Sequence, residues 1–296
     1  MTTSDYRLID SPYGTGKVLI PYGQWRPEFS SLMKSEGLRG IRLTYSYAWK
    51  GPSLEFLNEF PDLEELLVVQ PDVRDASIVS SLRKLRVLGL HCRLRKPPDL
   101  GQLPELRRLS LSWCNGLEEA FARGGALENS KLEELKLDRW PYVDLKELGC
   151  VTTLKSLWLT SQRLESLAGI EELVRLEELR LSFCPKLRDL GRLDRCASLD
   201  RLELYSCNRI GDISAIGQLL ALRNLRLECC GPISSLEPLT NCASLEGLNF
   251  DGTTRILDGK TSTLRQLPRL KYAVFRPRRS YDMKPREFVR KSSEGT

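Results

Sequence analysis

Residues 154–159 read LKSLWL, and residues 176–181 repeat the pattern as LEELRL. Leucine stands at the first, fourth and sixth places of each. The last two lie two residues apart, so on a short strand they point to one side. By the same alternation Trp158, which sits between them, points to the other side, toward water. What the surrounding rhythm builds decides why a tryptophan is kept there.

Outward from this stretch the frame recurs as LEELLV from Leu63, LRVLGL from Leu85, LRRLSL from Leu106 and LEELKL from Leu132. It continues as LDRLEL from Leu199, LRNLRL from Leu222 and LEGLNF from Leu245, with degenerate end copies LRGIRL from Leu38 and LKYAVF from Leu270. The starting positions are almost evenly spaced, and such a short fixed period marks a repeat architecture. One such strand cannot bury its apolar face alone, whereas stacked coils make a parallel sheet over a continuous core.

The sequence therefore resembles the leucine-rich-repeat family over residues 38–275. The resemblance implies an α/β solenoid: a right-handed horseshoe with about ten or eleven short parallel strands on its concave face and short returns on its convex face. In the returns Leu164, Leu167, Ile170 and Leu173 are spaced by three, as are Ile210, Ile213, Ile216 and Leu219. That period suits three-ten turns, where residues i and i+3 eclipse. The short repeats resemble those of the internalin-like and phosphatase-regulator-like classes. The earlier returns at 53–60, 73–82 and 118–127 read as short α-helices.

Both ends of an open solenoid need covering. Residues 1–37 read as an N-terminal cap, with YRLID and KVLIPY flanking a glycine turn as a β-hairpin, followed by a short helix ending at Gly37. The turn, SPYGTGKV, contains GTGK. A phosphate-binding loop needs Gly where Ser11 stands and Ser or Thr where Val18 stands, so a hairpin turn is the reading. Residues 276–296 read as a poorly ordered basic tail.

The chain has 296 residues, 41% hydrophobic and 28% charged, with a net charge of +6. Eight of the 45 basic residues and three of the 39 acidic ones fall in 271–296, so about +5 of the charge lies there and the body is near neutral. No secretory signal is visible, nor any apolar run of the length needed to span a bilayer, and the expected location is cytoplasmic. The nine cysteines contain no C-x-x-C pair and read as reduced, mostly buried thiols. Cys184, Cys207 and Cys230 each fall three residues after the last leucine of their frame. Members of the resembled family usually place Asn or Cys there, and stacking makes these three a structural column, not a metal site.

No metal, cofactor or catalytic site is expected. His91 is the only histidine, which leaves no material for a multi-histidine metal site and little for a histidine-based nucleophile. His91 itself reads as a solvated surface imidazole. Glu133/Glu134 and Glu177/Glu178 read as solubility features.

The chemistry is left to the concave face. Residues between and after the leucines project there, and they include Lys136, Trp158, Arg180, Glu203 and Arg226, with Asp138 and Tyr205 one row further. Trp113, Arg139 and Phe183 follow. Binding hot spots favour Trp, Tyr and Arg, so these ten residues form the candidate partner-binding set. The competing reading is that Lys136, Trp158, Arg180, Glu203 and Arg226 satisfy one another through cation–π contacts and alternating charge. The expected function is non-catalytic protein binding, of adaptor, regulatory-subunit or toxin-neutralising type. The alternative is binding of nucleic acid or an acidic lipid surface by the basic tail, with Tyr281 and Phe288 interleaved among its arginines.

Overall fold

The computed structural model describes residues 5–288. The chain forms two compact units, Met1–Asp138 and Arg139–Thr296, each built of coils that carry one strand and one return.

The first unit opens with β1 (Tyr6–Asp10) and β2 (Lys17–Pro21), an antiparallel hairpin in register from Tyr6 against Pro21 to Asp10 against Lys17. Helix α1 (Pro27–Ser35) follows, with proline where the missing N–H costs nothing. It ends in a left-handed turn at Gly37 (φ 59°), where Leu38 N–H donates to the Met33 carbonyl at 2.9 Å. This closes the helix and turns the chain into the first coil. The strands β3 (Gly40–Thr44), β4 (Glu65–Val69), β5 (Val87–Leu90), β6 (Arg108–Ser112) and β7 (Glu134–Asp138) are parallel neighbours in chain order, and β2 pairs with β3. The hairpin thus supplies the strand that covers the open edge of the first coil.

The second unit stacks β8 (Ser156–Thr160), β9 (Glu178–Ser182), β10 (Arg201–Tyr205) and β11 (Asn224–Glu228) in parallel. After the two-residue strand β12 (Pro232–Ile233) come β13 (Gly247–Phe250), β14 (Arg255–Ile256) and β15 (Tyr272–Phe275). Strands β13 and β15 extend the main sheet, while β12 and β14 pair with each other in the returns. Every leucine frame of the sequence is a strand among the described residues. Paired leucines of the frame, such as Leu157 and Leu159 or Leu202 and Leu204, are at most 2% exposed. A fully buried leucine contributes about 1.5–3 kcal/mol, and each coil repeats that contribution.

The period of three in the returns is realised as three-ten turns. Ile170 N–H donates to the Leu167 carbonyl and Leu173 N–H to that of Ile170, both at 2.9 Å, and all three side chains are buried. Two of the earlier returns differ from expectation. Residues 55–59 and 77–81 are three-ten, and only Glu118–Phe121 makes an α turn, α2. So short a repeat leaves no room for a full helix after the strand and its two bends.

The reading of residues 276–296 as a poorly ordered tail is corrected over its described part. Tyr281 and Met283 are buried, and the Tyr281 ring packs against Phe250 and Phe275. Tyr281 Oη accepts from Ile256 N–H at 2.9 Å, and Thr261 Oγ1 donates to the Met283 carbonyl at 2.8 Å. An apolar end surface left by the last coil holds this segment down. Residues 289–296 of the tail lie outside the described residues.

Candidate protein-binding face

In the second unit the residues that alternate with the buried leucines form rows across the sheet. One row runs Trp158, Arg180, Glu203, Arg226, Asn249 in strand-to-strand register. Beside it, toward the strand starts, runs Ser156, Glu178, Arg201, Asn224, Gly247 and Tyr272.

Glu178 organises the first of these neighbourhoods. Its carboxylate accepts from Ser156 Oγ at 2.8 Å, Trp158 Nε1 at 3.1 Å, and Arg180 Nε and Nη2 at 2.9 and 2.7 Å. Arg180 also lies over the Trp158 ring, 4.1 Å from its centroid, and its Nη1 is 3.5 Å from Glu203 Oε2. Burial pushes the Glu178 carboxyl up, but the hydrogen bonds from Ser156, Arg180 and Trp158 outweigh it and hold the group below the ordinary glutamate range. Trp158 is half-buried in this network, so the mutual-satisfaction reading describes its surroundings. Glu178 is more than a solubility feature. Arg226 turns the other way, its Nε donating to Glu228 Oε2 at 2.7 Å.

A different aromatic pair faces water. Phe183 is 52% exposed, and its ring meets Tyr205 edge-to-face at 5.2 Å and 84°. Phe183 lies just past the end of β9 in the left-handed region (φ 54°), with its N–H donating to the Tyr205 carbonyl at 2.8 Å. Ser206 and Cys229 repeat this conformation after β10 and β11, and exposed Arg139 has it too (φ 62°). The left-handed turn serves the backbone bond to the next coil, and it aims the side chain outward. For a residue with a Cβ it costs about 1–2 kcal/mol.

In the first unit, Trp113 is a correction. It is buried, packed 5.4 Å from Phe121 of α2, and so belongs to the core and not to the exposed set. The α turn brings Phe121 to the indole, which counting along the frame does not show. His91 is engaged rather than freely solvated: Nε2 is 2.9 Å from Ser110 Oγ and Nδ1 is 3.4 Å from Asp138 Oδ2. Lys136 stands beside Ser110 in register.

Glu65, at the start of β4, is 1% exposed. It accepts from Ser11 Oγ at 2.5 Å, Thr15 Oγ1 at 2.7 Å, and Arg42 Nε and Nη2 at 3.1 and 2.8 Å. Tyr13 of the same turn stacks on Arg108, 5.2 Å from centroid to guanidinium carbon. The turn SPYGTG is thus pinned over the outward face of the first unit, a role that its serine and threonine signalled only by their hydrogen-bonding capacity.

The fold is similar to that of solved structures. One is the internalin inlF of Listeria monocytogenes strain 4b F2365, at 23% identity, covering 75% of this chain and 70% of that one with a TM-score of 0.58. Another is a leucine-rich-repeat protein of Leptospira interrogans, at 20% identity, covering 88% of this chain and 77% of that one with a TM-score of 0.54. The chain has the leucine-rich-repeat fold. No protein-family model and no curated protein matches it.

The leucine-rich-repeat frame also accounts for the cysteine column. Cys207 Sγ donates to the Leu181 carbonyl at 3.7 Å and Cys230 Sγ to that of Leu204 at 3.4 Å, so each thiol bonds the coil before it. Thr254 continues the column, its Oγ1 donating to the Leu227 carbonyl at 2.7 Å. Cys242 and Cys196 bond return carbonyls of Ile216 and Ile170 in the same manner. Burial pushes the thiols of Cys230 and Cys196 up to about 12, and a hydrogen bond with Cys207 together with burial pushes Cys184 up. These thiols are neutral donors, unsuited to thiolate chemistry. No helix among the described residues is long and apolar enough to cross a membrane.

Proposed function

We propose that the chain is a non-catalytic protein-binding module whose partner docks on the outward sheet face of the second unit. The leucine-rich-repeat fold supports a protein-interaction role in general. The observation that carries the finer reading is Phe183, a large ring held half-exposed on a strained backbone beside Tyr205. The repeat itself sets this turn, which Arg139, Ser206 and Cys229 share; what is particular to this place is that the side chain it aims outward is a large aromatic ring, the residue class that anchors interfaces. Trp158, Arg180, Glu203 and Arg226 flank the pair as a polar rim whose internal bonds pre-organise it, which lowers the ordering cost of association. Arg139 lies at the start of the same unit. An adaptor, regulatory-subunit or toxin-neutralising role is compatible with such a face. The column of buried thiols, each serving as a hydrogen-bond donor, favours a reducing compartment, the cytoplasm.

The alternative, an anionic surface or nucleic acid gripped by the basic tail, loses one of its stacking rings, since Tyr281 is buried.

A photo-reactive residue placed at 183 or 205 tests the proposal in cells. Cross-links to a discrete protein are expected there and not from Leu220, which is 66% exposed on a return. Equal labelling from 183 and 220 refutes it.

A further inference from the structure

The last described segment, residues 276–287, is laid along residues 254–262 by a line of hydrogen bonds. Arg278 Nη2 donates to the Thr254 carbonyl at 3.2 Å, Ile256 N–H to Tyr281 Oη at 2.9 Å, and Asp282 N–H to the Gly259 carbonyl at 3.0 Å. Thr261 Oγ1 accepts from Met283 N–H at 3.1 Å and donates to its carbonyl at 2.8 Å. Tyr281 and Met283 are buried, so the segment is anchored. Strand β15 ends the main sheet, and the two stretches form a surface at that end of the second unit.

The charge of this surface is one-sided. The two stretches hold seven basic residues, Arg255, Lys260, Arg276 and Arg279 among them, against three acidic ones, Asp258, Asp282 and Glu287. None of the seven forms an ion pair among the described residues. Two of the carboxylates serve their own backbone: Asp282 accepts from Ser262 N–H and Oγ and from Thr261 Oγ1, and Asp258 from Lys260 N–H. Arg255, Lys260, Arg276 and Arg279 are exposed. The fold thus gathers like charges and supplies no counter-charge, a repulsion that an anionic partner relieves.

One large apolar side chain stands among these cations. Leu257 is 58% exposed and follows Arg255 by two residues, with buried Ile256 between them, so both point to one side. Cations around an exposed aliphatic residue match a bilayer, whose headgroups supply the anions and whose acyl boundary takes the leucine. A nucleic acid also offers phosphates, but its grip on such a surface is strengthened by rings that stack on bases. The ring interleaved with these arginines, Tyr281, is buried and stacks on Phe275 instead.

We propose that the chain binds a membrane surface rich in acidic lipid through this end of its second unit. Arg255, Lys260, Arg276 and Arg279 lie at the headgroups, and Leu257 enters beneath them. None of these residues belongs to the Phe183–Tyr205 pair, so the membrane contact is a second binding activity beside the protein docking proposed above.

The test is co-sedimentation of the full chain with vesicles of phosphatidylcholine, alone or with phosphatidylserine at about 30% of the lipid. Binding to the acidic vesicles is expected to be at least about tenfold tighter than to the neutral ones, and to weaken steeply as salt is raised. The double variant Arg276→Gln, Arg279→Gln should weaken it by about tenfold or more. A control pair with the same loss of charge, Arg175→Gln with Arg192→Gln, should stay within about twofold of the native chain. Leu257→Ser should weaken vesicle binding about threefold or more. All five side chains are exposed, so the fold is kept. Equal binding to neutral and acidic vesicles overturns the proposal. So does an equal loss in the control pair, which would mark net charge alone, and so does native affinity in Leu257→Ser. Tighter binding to a short DNA duplex than to the acidic vesicles would assign the surface to nucleic acid and overturn it as well.

Discussion

Replacing Phe183 by glycine separates what this ring does for the fold from what it does for a partner. At φ 54° the phenylalanine backbone is held where a Cβ is disfavoured. Glycine releases about 1–2 kcal/mol of that strain. Against this stand the edge-to-face contact with Tyr205, about 0.5–1.5 kcal/mol, and the greater entropy of an unfolded glycine, about 0.5–1 kcal/mol. The terms nearly cancel, so urea unfolding of Phe183→Gly should give a stability within about 1 kcal/mol of the native chain. Phe183→Ala keeps the strain and loses the ring, so it should be the less stable of the two variants by roughly 1 kcal/mol. Partner affinity, read by cross-linking from a probe at 205, should fall about 30-fold or more in both, the cost of truncating a hot-spot residue. A loss of more than about 3 kcal/mol in Phe183→Gly would show that the ring is a structural element. Undiminished capture of partner would show that it is no anchor. Either result refutes the argument that the exposed ring serves binding.

Glu65→Ala should cost about 3–5 kcal/mol, because Arg42 loses its buried counter-charge and Ser11 and Thr15 lose their acceptor; hydrogen exchange should speed up first in β1 and β2. Glu178 is held below the ordinary glutamate value, so its contribution is complete above about pH 4.3, the unfolded value, and is lost as the pH falls through the folded one. The Trp158 Nε1–H resonance should move in that acid range, and Glu178→Gln should abolish the movement. With a thiol reagent at neutral pH, Cys114 and Cys229 should react quickly in the native chain, since the other cysteines are buried; fast labelling of Cys230 would contradict its place in the column. Leu204→Ala should destabilise by about 2–5 kcal/mol, because its side chain is wholly buried between coils.

The repeat was legible because it rests on periodicity alone. Leucines two apart require strands, apolar residues three apart require three-ten returns, and the short, near-constant step between frames leaves room for little else. The site was legible only in part. The alternation that places Arg180 and Glu203 outward also places Glu178 and Arg201 outward, two residues earlier on the same strands. Reading from the middle of the frame onward missed that row, and with it the Glu178 network. Trp113 was misplaced because the return after β6 carries an α turn whose Phe121 draws the indole inward. The left-handed backbone of Phe183 leaves no mark in composition, since glycine is absent from that place.

The thiol column carries an implication for engineering. The interval from Cys184 to Cys207 equals that from Cys207 to Cys230, and each joint offers the next coil the same carbonyl and takes from it the same soft donor. Because the two seams are interchangeable, one such module can be spliced in twice without creating a foreign junction. Each added copy moves Tyr272 about 4.8 Å farther from Phe183. The second unit is in that sense a ruler graduated in whole coils.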